Sequence, residues 1–180
     1  MMKGEKVVLR AMTRADLPTF VRWFNDPEVT SFLGGKMWPM SPEAEERWFS
    51  RQVEEDALHA PLCIETIAPA GQSGVLIGNL SLMHPSDRDR HAELGIVIGE
   101  KDYWSKGYGT DAIKTLLRYA FDELNYHKVL LRVYDFNQRA IRCYEKCGFK
   151  VEGRLRQHIF RHGQWHDEIL MGVLRDEFRA

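Results

Sequence analysis

Apolar residues recur along this chain with two periods. Alternating or short continuous apolar runs mark strands at 7–10 (Val7, Val8, Leu9), 62–67, 75–82, 92–98, 128–134, 155–161 and 165–174. Helical spacing marks four other segments. The first follows Thr13 and carries Leu17, Phe20, Val21 and Phe24, with an end expected near Asn25-Asp26-Pro27. The second opens at Ser41-Pro42, with Glu43, Glu45 and Glu46 near its positive end. The third spans 110–124 through Ala112, Ile113, Leu116, Leu117, Ala120, Phe121 and Leu124. The fourth runs from Asn137 to Cys147 and stops at Gly148, a left-handed cap. The stretch 69–74 predicts the turn of a hairpin, and His162-Gly163 joins the last two strands. The order predicts a mixed α/β fold with an antiparallel N-terminal part and one central βαβ unit, in a single domain over 1–180.

The connection inside that unit carries the chemistry. Trp104-Ser105-Lys106-Gly107-Tyr108-Gly109-Thr110 places two glycines just before a helix. Such a loop offers free backbone N–H groups at a helix N-terminus, an anion site suited to phosphate or pyrophosphate. Gly107-x-Gly109-x-x-Ala112 formally fits the dinucleotide fingerprint. Eight residues, 99–106, separate it from the preceding strand, whereas that fold needs its glycines in the turn directly after the strand. No G-x-x-x-x-G-K-[ST] is present.

Composition narrows the classes. The chain has 180 residues, 44% hydrophobic, and a formal net charge of −1, which argues against a general nucleic-acid binder. Three cysteines, Cys63, Cys143 and Cys147, give no disulfide framework and suit a reducing cytoplasm. No apolar run predicts a membrane span and no signal-peptide pattern is seen. From 137 to 165 seven Lys/Arg face two acids, a setting for a polyanion or a solvated basic face. Six acids and two arginines fall in 41–56, a bias that attracts a cation or simply solvates a helix.

The phrase Asn137-x-x-Ala140-x-x-x-Tyr144-x-x-x-Gly148-Phe149, together with the glycine loop, resembles the GNAT superfamily of acetyl-CoA-dependent N-acetyltransferases. The likeness runs from Val7 to the C-terminus. Leu9-Arg10, Asn25-Asp26-Pro27-Glu28-Val29 and the run from Tyr103 to Gly109 look like its RimJ/RimL branch. Trp104 departs from the usual Gln or Arg. The resemblance implies a mostly antiparallel sheet flanked by helices, with acetyl-CoA as cosubstrate and no metal. It implies that Ile96, Val97 and Ile98 pair with the pantetheine arm. Trp104, Ser105, Lys106, Gly107, Tyr108, Gly109 and Thr110 would hold the pyrophosphate, and Asn137 the pantetheine or phosphate region. Tyr144 would protonate the leaving thiolate. Glu93 is the first candidate for the base and Asp135 the second, with water as the third.

The acceptor implied is a small amine, a polyamine or a protein N-terminus. Nucleic acid and membrane are not expected as partners, and a homodimer is a possibility the branch suggests. A non-catalytic acyl-CoA sensor and a dinucleotide-binding redox protein are the rival readings. Cys143 and Cys147 read as packing residues one turn apart. His158, His162 and His166 read as structural or acceptor-pocket groups on a hairpin. Trp23, Trp38 and Trp48 read as core or acceptor-pocket walls.

Overall fold

The computed structural model describes residues 1–34, 38–55, 60–69 and 71–179, without the side chains of Glu54 and Glu55. Asp56, and Ala70 of the expected turn, lie outside the described residues. The strands are β1 (Met2–Lys3), β2 (Val7–Ala11), β3 (Leu62–Thr66), β4 (Leu76–Ser86), β5 (His91–Ile98), β6 (Lys128–Tyr134), β7 (Lys150–Arg161) and β8 (Gln164–Leu174). The α-helices are α1 (Leu17–Phe24), α2 (Pro27–Thr30), α3 (Pro42–Glu55), α4 (Tyr108–Asp122) and α5 (Gln138–Lys146). All eight strands form one sheet in the order β1-β2-β3-β4-β5-β6-β8-β7. Every pairing is antiparallel except β5 with β6. The expected mixed, mostly antiparallel sheet with a βαβ unit is therefore present.

Strand alternation sorts the core into two layers. Ile64 faces the larger cluster and Cys63 the smaller; Ile96 and Ile98 pack on the larger, while Val97 lies in the smaller. The amphipathic α4 fills the larger layer. Its Ile113, Leu116, Leu117 and Phe121 are buried, each contributing about 1.5–3 kcal/mol relative to exposure. Phe20 and Trp23 of α1 and Phe49 of α3 fill the other layer.

Four boundaries differ from expectation. A two-residue strand, Met2–Lys3, precedes β2. Asp26 caps a further helical turn, accepting from Glu28 N at 2.9 Å, so Pro27 starts an element as well as ending one. β4 continues past Leu82 to Ser86, through an irregular register and the exposed Met83 and His84. β7 begins at Lys150, not near 155. Its side chains are exposed on most positions, so no alternation announced it; hydrogen bonds to β8 hold it.

Glu45 departs from the expected solvated acidic face. Helical spacing turns it inward with Phe49. It is 2% exposed, and its Oε1 has no hydrogen-bond partner among the described residues. Burial pushes its carboxyl up to about 7. The unfolded chain ionises at the ordinary, lower value. Stability is therefore unpenalised below that value and falls as pH rises through about 7. The penalty is at most about 3 kcal/mol. Glu45→Gln should raise the melting temperature by several degrees at alkaline pH and much less near pH 5. An equal shift in both melting curves would show that the carboxylate's charge is not the cause.

Candidate active site

The parallel pairing of β5 with β6 is short. It covers only His91–Lys128, Ala92–Val129 and Glu93–Leu130. Beyond Glu93 β5 has a neighbour on one side only, β4. Gly99 N–H donates to Ile77 O at 2.9 Å, which makes those two a hydrogen-bonded pair. Antiparallel ladders alternate, so Asn79–Val97 is bonded as well, while Gly78–Ile98 and Leu80–Ile96 are not. The peptide groups of Ile96 and Ile98 therefore point away from β4, into the gap between β5 and β6. The Ile98 carbonyl accepts from Trp104 Nε1 at 2.6 Å. The other polar groups of this edge lie open to a ligand that can pair as a strand would.

At the end of this edge stands the glycine loop. Gly107, with φ 87°, is the N-cap of α4 in a conformation that suits only glycine. The first intrahelical bond is Asp111 N to Gly107 O. The N–H groups of Gly107, Tyr108, Gly109 and Thr110 thus have no intrahelical acceptor, and the helix dipole favours negative charge beside them. Two contacts from the distant N-terminus steady the loop. The Asp111 carboxylate accepts from the backbone N–H groups of Glu5, Lys6 and Val7 at 3.1, 2.8 and 3.0 Å. Lys6 Nζ donates to Lys106 O at 3.0 Å.

Helix α5 forms the opposite wall. Asn137 is buried and caps it, its Oδ1 accepting from Ala140 N at 3.2 Å. That bond leaves the amide nitrogen to face a ligand. A cavity of about 360 Å³ lies between these walls. Ile96, Val97, Ile98, Trp104, Ser105, Gly107, Gly109, Thr110, Asn137 and Tyr144 line it, with Arg139, Arg142 and Lys146 as its cations. The Trp104 ring stacks on the Arg139 guanidinium at 3.7 Å. Lys106 and Tyr108 do not line the cavity. The Lys106 side chain is exposed, and Tyr108 packs edge-on against Tyr103 at 5.1 Å.

Cys143 lines the same cavity, with its Sγ 3.2 Å from Thr110 Oγ1. Hydrogen bonding with the Cys147 thiol holds it below the ordinary thiol value and outweighs burial.

A second cavity, about 670 Å³, adjoins the first. Tyr144, Asn137, Phe32, Leu33, Ile96 and Val97 line both. Tyr144 thus stands at the junction. Its phenol is pushed above its ordinary value by burial, aided by the Cys143 and Cys147 thiols. It stays protonated and can donate. The second cavity is lined by Glu93, Glu168 and Arg132, by Trp48 and Gln52 of α3, and by Asn79 and Ser81 of β4. Glu93 has a 17% exposed side chain, 3.4 Å from Arg132 Nε.

Other expectations fall elsewhere. Asp135 lines neither cavity; it faces His166 Nδ1 at 3.6 Å and Arg154 at 4.0 Å. Its carboxylate thus faces residues of β7 and β8. The acids Glu43, Glu45 and Glu46 line neither cavity, because the face of α3 at the cleft carries Trp48 and Gln52. Trp23 is core, but Trp38 is 79% exposed and lines neither described cavity. Among the described residues no three His, Cys, Asp or Glu side chains cluster to hold a metal ion. No described helix is long and apolar enough to cross a membrane. Glu168, Arg132, Lys6, Phe32 and Leu33 were not singled out by the sequence. Tertiary pairing alone brings them here.

Residues 6–150 match the model of the acetyltransferase (GNAT) domain. The SPbeta prophage-derived uncharacterized N-acetyltransferase YokL of Bacillus subtilis is 32% identical over 97% of this chain and 93% of its own. The spermidine N(1)-acetyltransferase of Vibrio cholerae is 28% identical over 97% of this chain and 96% of its own. A crystal structure of spermidine N-acetyltransferase from Vibrio cholerae in complex with CoA and spermine superimposes with a TM-score of 0.85. It shares 28% identity and covers 95% of this chain and 96% of that one.

Proposed function

The chain belongs to the acetyltransferase (GNAT) domain family, and from that premise we propose how it works: an acetyl-CoA-dependent N-acetyltransferase whose acceptor is a primary amine of the polyamine class. The observation that carries this reading is the junction. One cavity has an unpaired strand edge, the first turn of α4 through Gly107, Gly109 and Thr110, and three cations; its neighbour has two carboxylates; Tyr144 touches both.

The first cavity fits acetyl-CoA. The open edge at Ile96 and Ile98 suits the amides of pantetheine. The N-terminus of α4 and the cations Arg139, Arg142 and Lys146 suit its phosphates. When bound there, acetyl-CoA supplies an acyl thioester open to direct attack. The chain's residues do the rest. Asn137 orients the pantetheine arm. Glu93, directly or through a water, takes the proton that keeps the amine from attacking. Tyr144 donates to the sulfur as charge develops on it. Phe32 and Leu33 exclude water from the meeting point. The spermidine acetyltransferase relatives support a polyamine acceptor. We also place the chain in the RimJ/RimL-type branch, as one acetyltransferase domain of the cytoplasm with free cysteines.

Acetyl-CoA at about a hundredfold above its Kd should raise the melting temperature by about 5–10 °C. NAD and NADP should not. Release of CoA thiol on adding spermidine would then distinguish an enzyme from a sensor. A thermal shift with NAD but none with acetyl-CoA would sink the reading, and thiol release only with hydroxyl or thiol acceptors would sink the amine.

A further inference from the structure

Glu168 is a buried carboxylate, 7% exposed, on a wall of the acceptor cavity. Strand geometry puts it beside Glu93 and Arg132. Glu93 pairs with Leu130 across β5 and β6, and Arg132 lies two residues on, on the same face. Across β6 and β8 Tyr134 pairs with Glu168, again two residues on. The three side chains form a diagonal row at the mouth of the gap. Arg132 bridges the two acids, at 3.4 Å from Glu93 and 3.5 Å from Glu168. His158 Nε2 is 3.8 Å from Glu168. The described lining thus holds two acids against one arginine.

The two carboxylates differ in place. Glu93 is on β5, the strand whose open edge leads to the thioester site. Glu168 is on the far side of Arg132. Arg132 is half exposed, at 48%, whereas Glu168 is held inside. A guanidinium that is half in water can swing out at little cost, because water solvates it. A buried carboxylate that keeps its charge needs a cation beside it, because otherwise it takes up a proton as Glu45 does. A neutral chain or a single ammonium group leaves one of the acids to Arg132. A chain with two ammonium groups separated by a few methylenes replaces the guanidinium at both.

We propose that Glu168 binds the second, non-reacting ammonium group of the acceptor, and that Arg132 is the cation this group displaces. The inference rests on the amine-acetyltransferase reading and narrows its acceptor to a linear diamine or polyamine. Glu168 selects the acceptor by charge at a fixed distance from Glu93 and takes no part in the acyl transfer. A peptide N-terminus carries one backbone cation, so beyond it the main chain offers Glu168 only neutral N–H donors, which offset its charge less than an ammonium group does.

Glu168 and Arg132 predict opposite changes. Glu168→Gln should raise the KM for spermidine roughly tenfold more than the KM for a monoamine such as butylamine, the scale of one lost charged hydrogen bond. The kcat for spermidine should change much less than the KM. Arg132→Gln should lower the KM for spermidine, because it removes the competitor. Glu168→Asp, which keeps the charge, should recover part of the loss, and melting curves on all variants would exclude misfolding. A structural role for the ion pair would move both variants the same way and would not distinguish the amines. Equal KM changes for spermidine and butylamine in Glu168→Gln, or a raised spermidine KM in Arg132→Gln, would overturn the proposal while leaving the amine reading intact. A wild-type protein that acetylates no amine would overturn that reading first, and this inference with it.

Discussion

Replacing Tyr144 with phenylalanine should lower turnover about a hundredfold or more while leaving the fold and acetyl-CoA affinity in place, the usual scale for a lost general acid. The ring packs edge-on near Phe149 at 6.0 Å, and phenylalanine keeps that contact. The hydroxyl has no hydrogen-bond partner among the described residues, so its removal orphans nothing. Its place at the junction of the two cavities is where the sulfur must lie if the ladder and the loop hold the rest of the cosubstrate. Burial raises the phenol above its ordinary value, near 10. Full transfer to a thiolate, whose conjugate acid is near 8.5, is then uphill. In the proposed reaction the hydroxyl would therefore act chiefly as a hydrogen-bond donor whose worth grows as charge develops on sulfur, which is the differential stabilisation that raises kcat. Steady-state turnover at saturating acetyl-CoA, with a melting curve alongside, tests it. Full activity in a folded variant would reduce Tyr144 to packing.

The second large effect is expected at Glu93. Glu93→Gln should lower turnover by about a hundredfold near neutral pH and by progressively less toward about pH 9. The sign follows from the acceptor. A primary amine near pKa 10.4 is almost wholly protonated at neutrality and must lose its proton before attack. As pH rises, more of it arrives already neutral, and the base matters less. Arg132 is 3.4 Å from Glu93, and on the proposal above it is the group an incoming ammonium displaces. Glu93 would then face a cation throughout, first the arginine and then the substrate. A pH profile parallel to wild type would move the proton to bulk water, since Asp135 is turned away toward His166 and Arg154.

What could be read in the chain beforehand was local. The cap Asn137, the closing Gly148 and the apolar stripe of α4 are set by residues a few positions apart, and they lie where spacing put them. The glycine loop is of the same kind: Gly107 at positive φ needs only its own backbone. The acceptor side is different. Glu168 and Arg132 are surface-type residues in strands, and only the pairing of β6 with β8 makes them neighbours of a cleft. Lys6 reaches Lys106 across a hundred residues. The acids of α3 misled because a count of charges ignores helix phase: Glu45 is buried, Glu46 pairs with Arg14, and Trp48 and Gln52 face the cleft.

The gap beside β5 also bears on how the protein stays apart from its own copies. An unpaired strand edge is a template for another chain, and such edges are commonly blunted. This sheet does so in three ways. At one rim β1 is only two residues long. At the other, β7 is long but carries Lys150, Arg154, Arg156 and Arg161 and breaks register with β8 at two places. The third edge, at Ile96 and Ile98, is the one that the proposed reaction needs open for the pantetheine arm. It lies between the glycine loop and α5, inside a cavity instead of along a rim. A second protein's strand would have to enter that cavity to pair with it, whereas a rim is open along its whole length. The edge left unpaired for the proposed cosubstrate is thus shielded by its own cavity walls from edge-to-edge pairing.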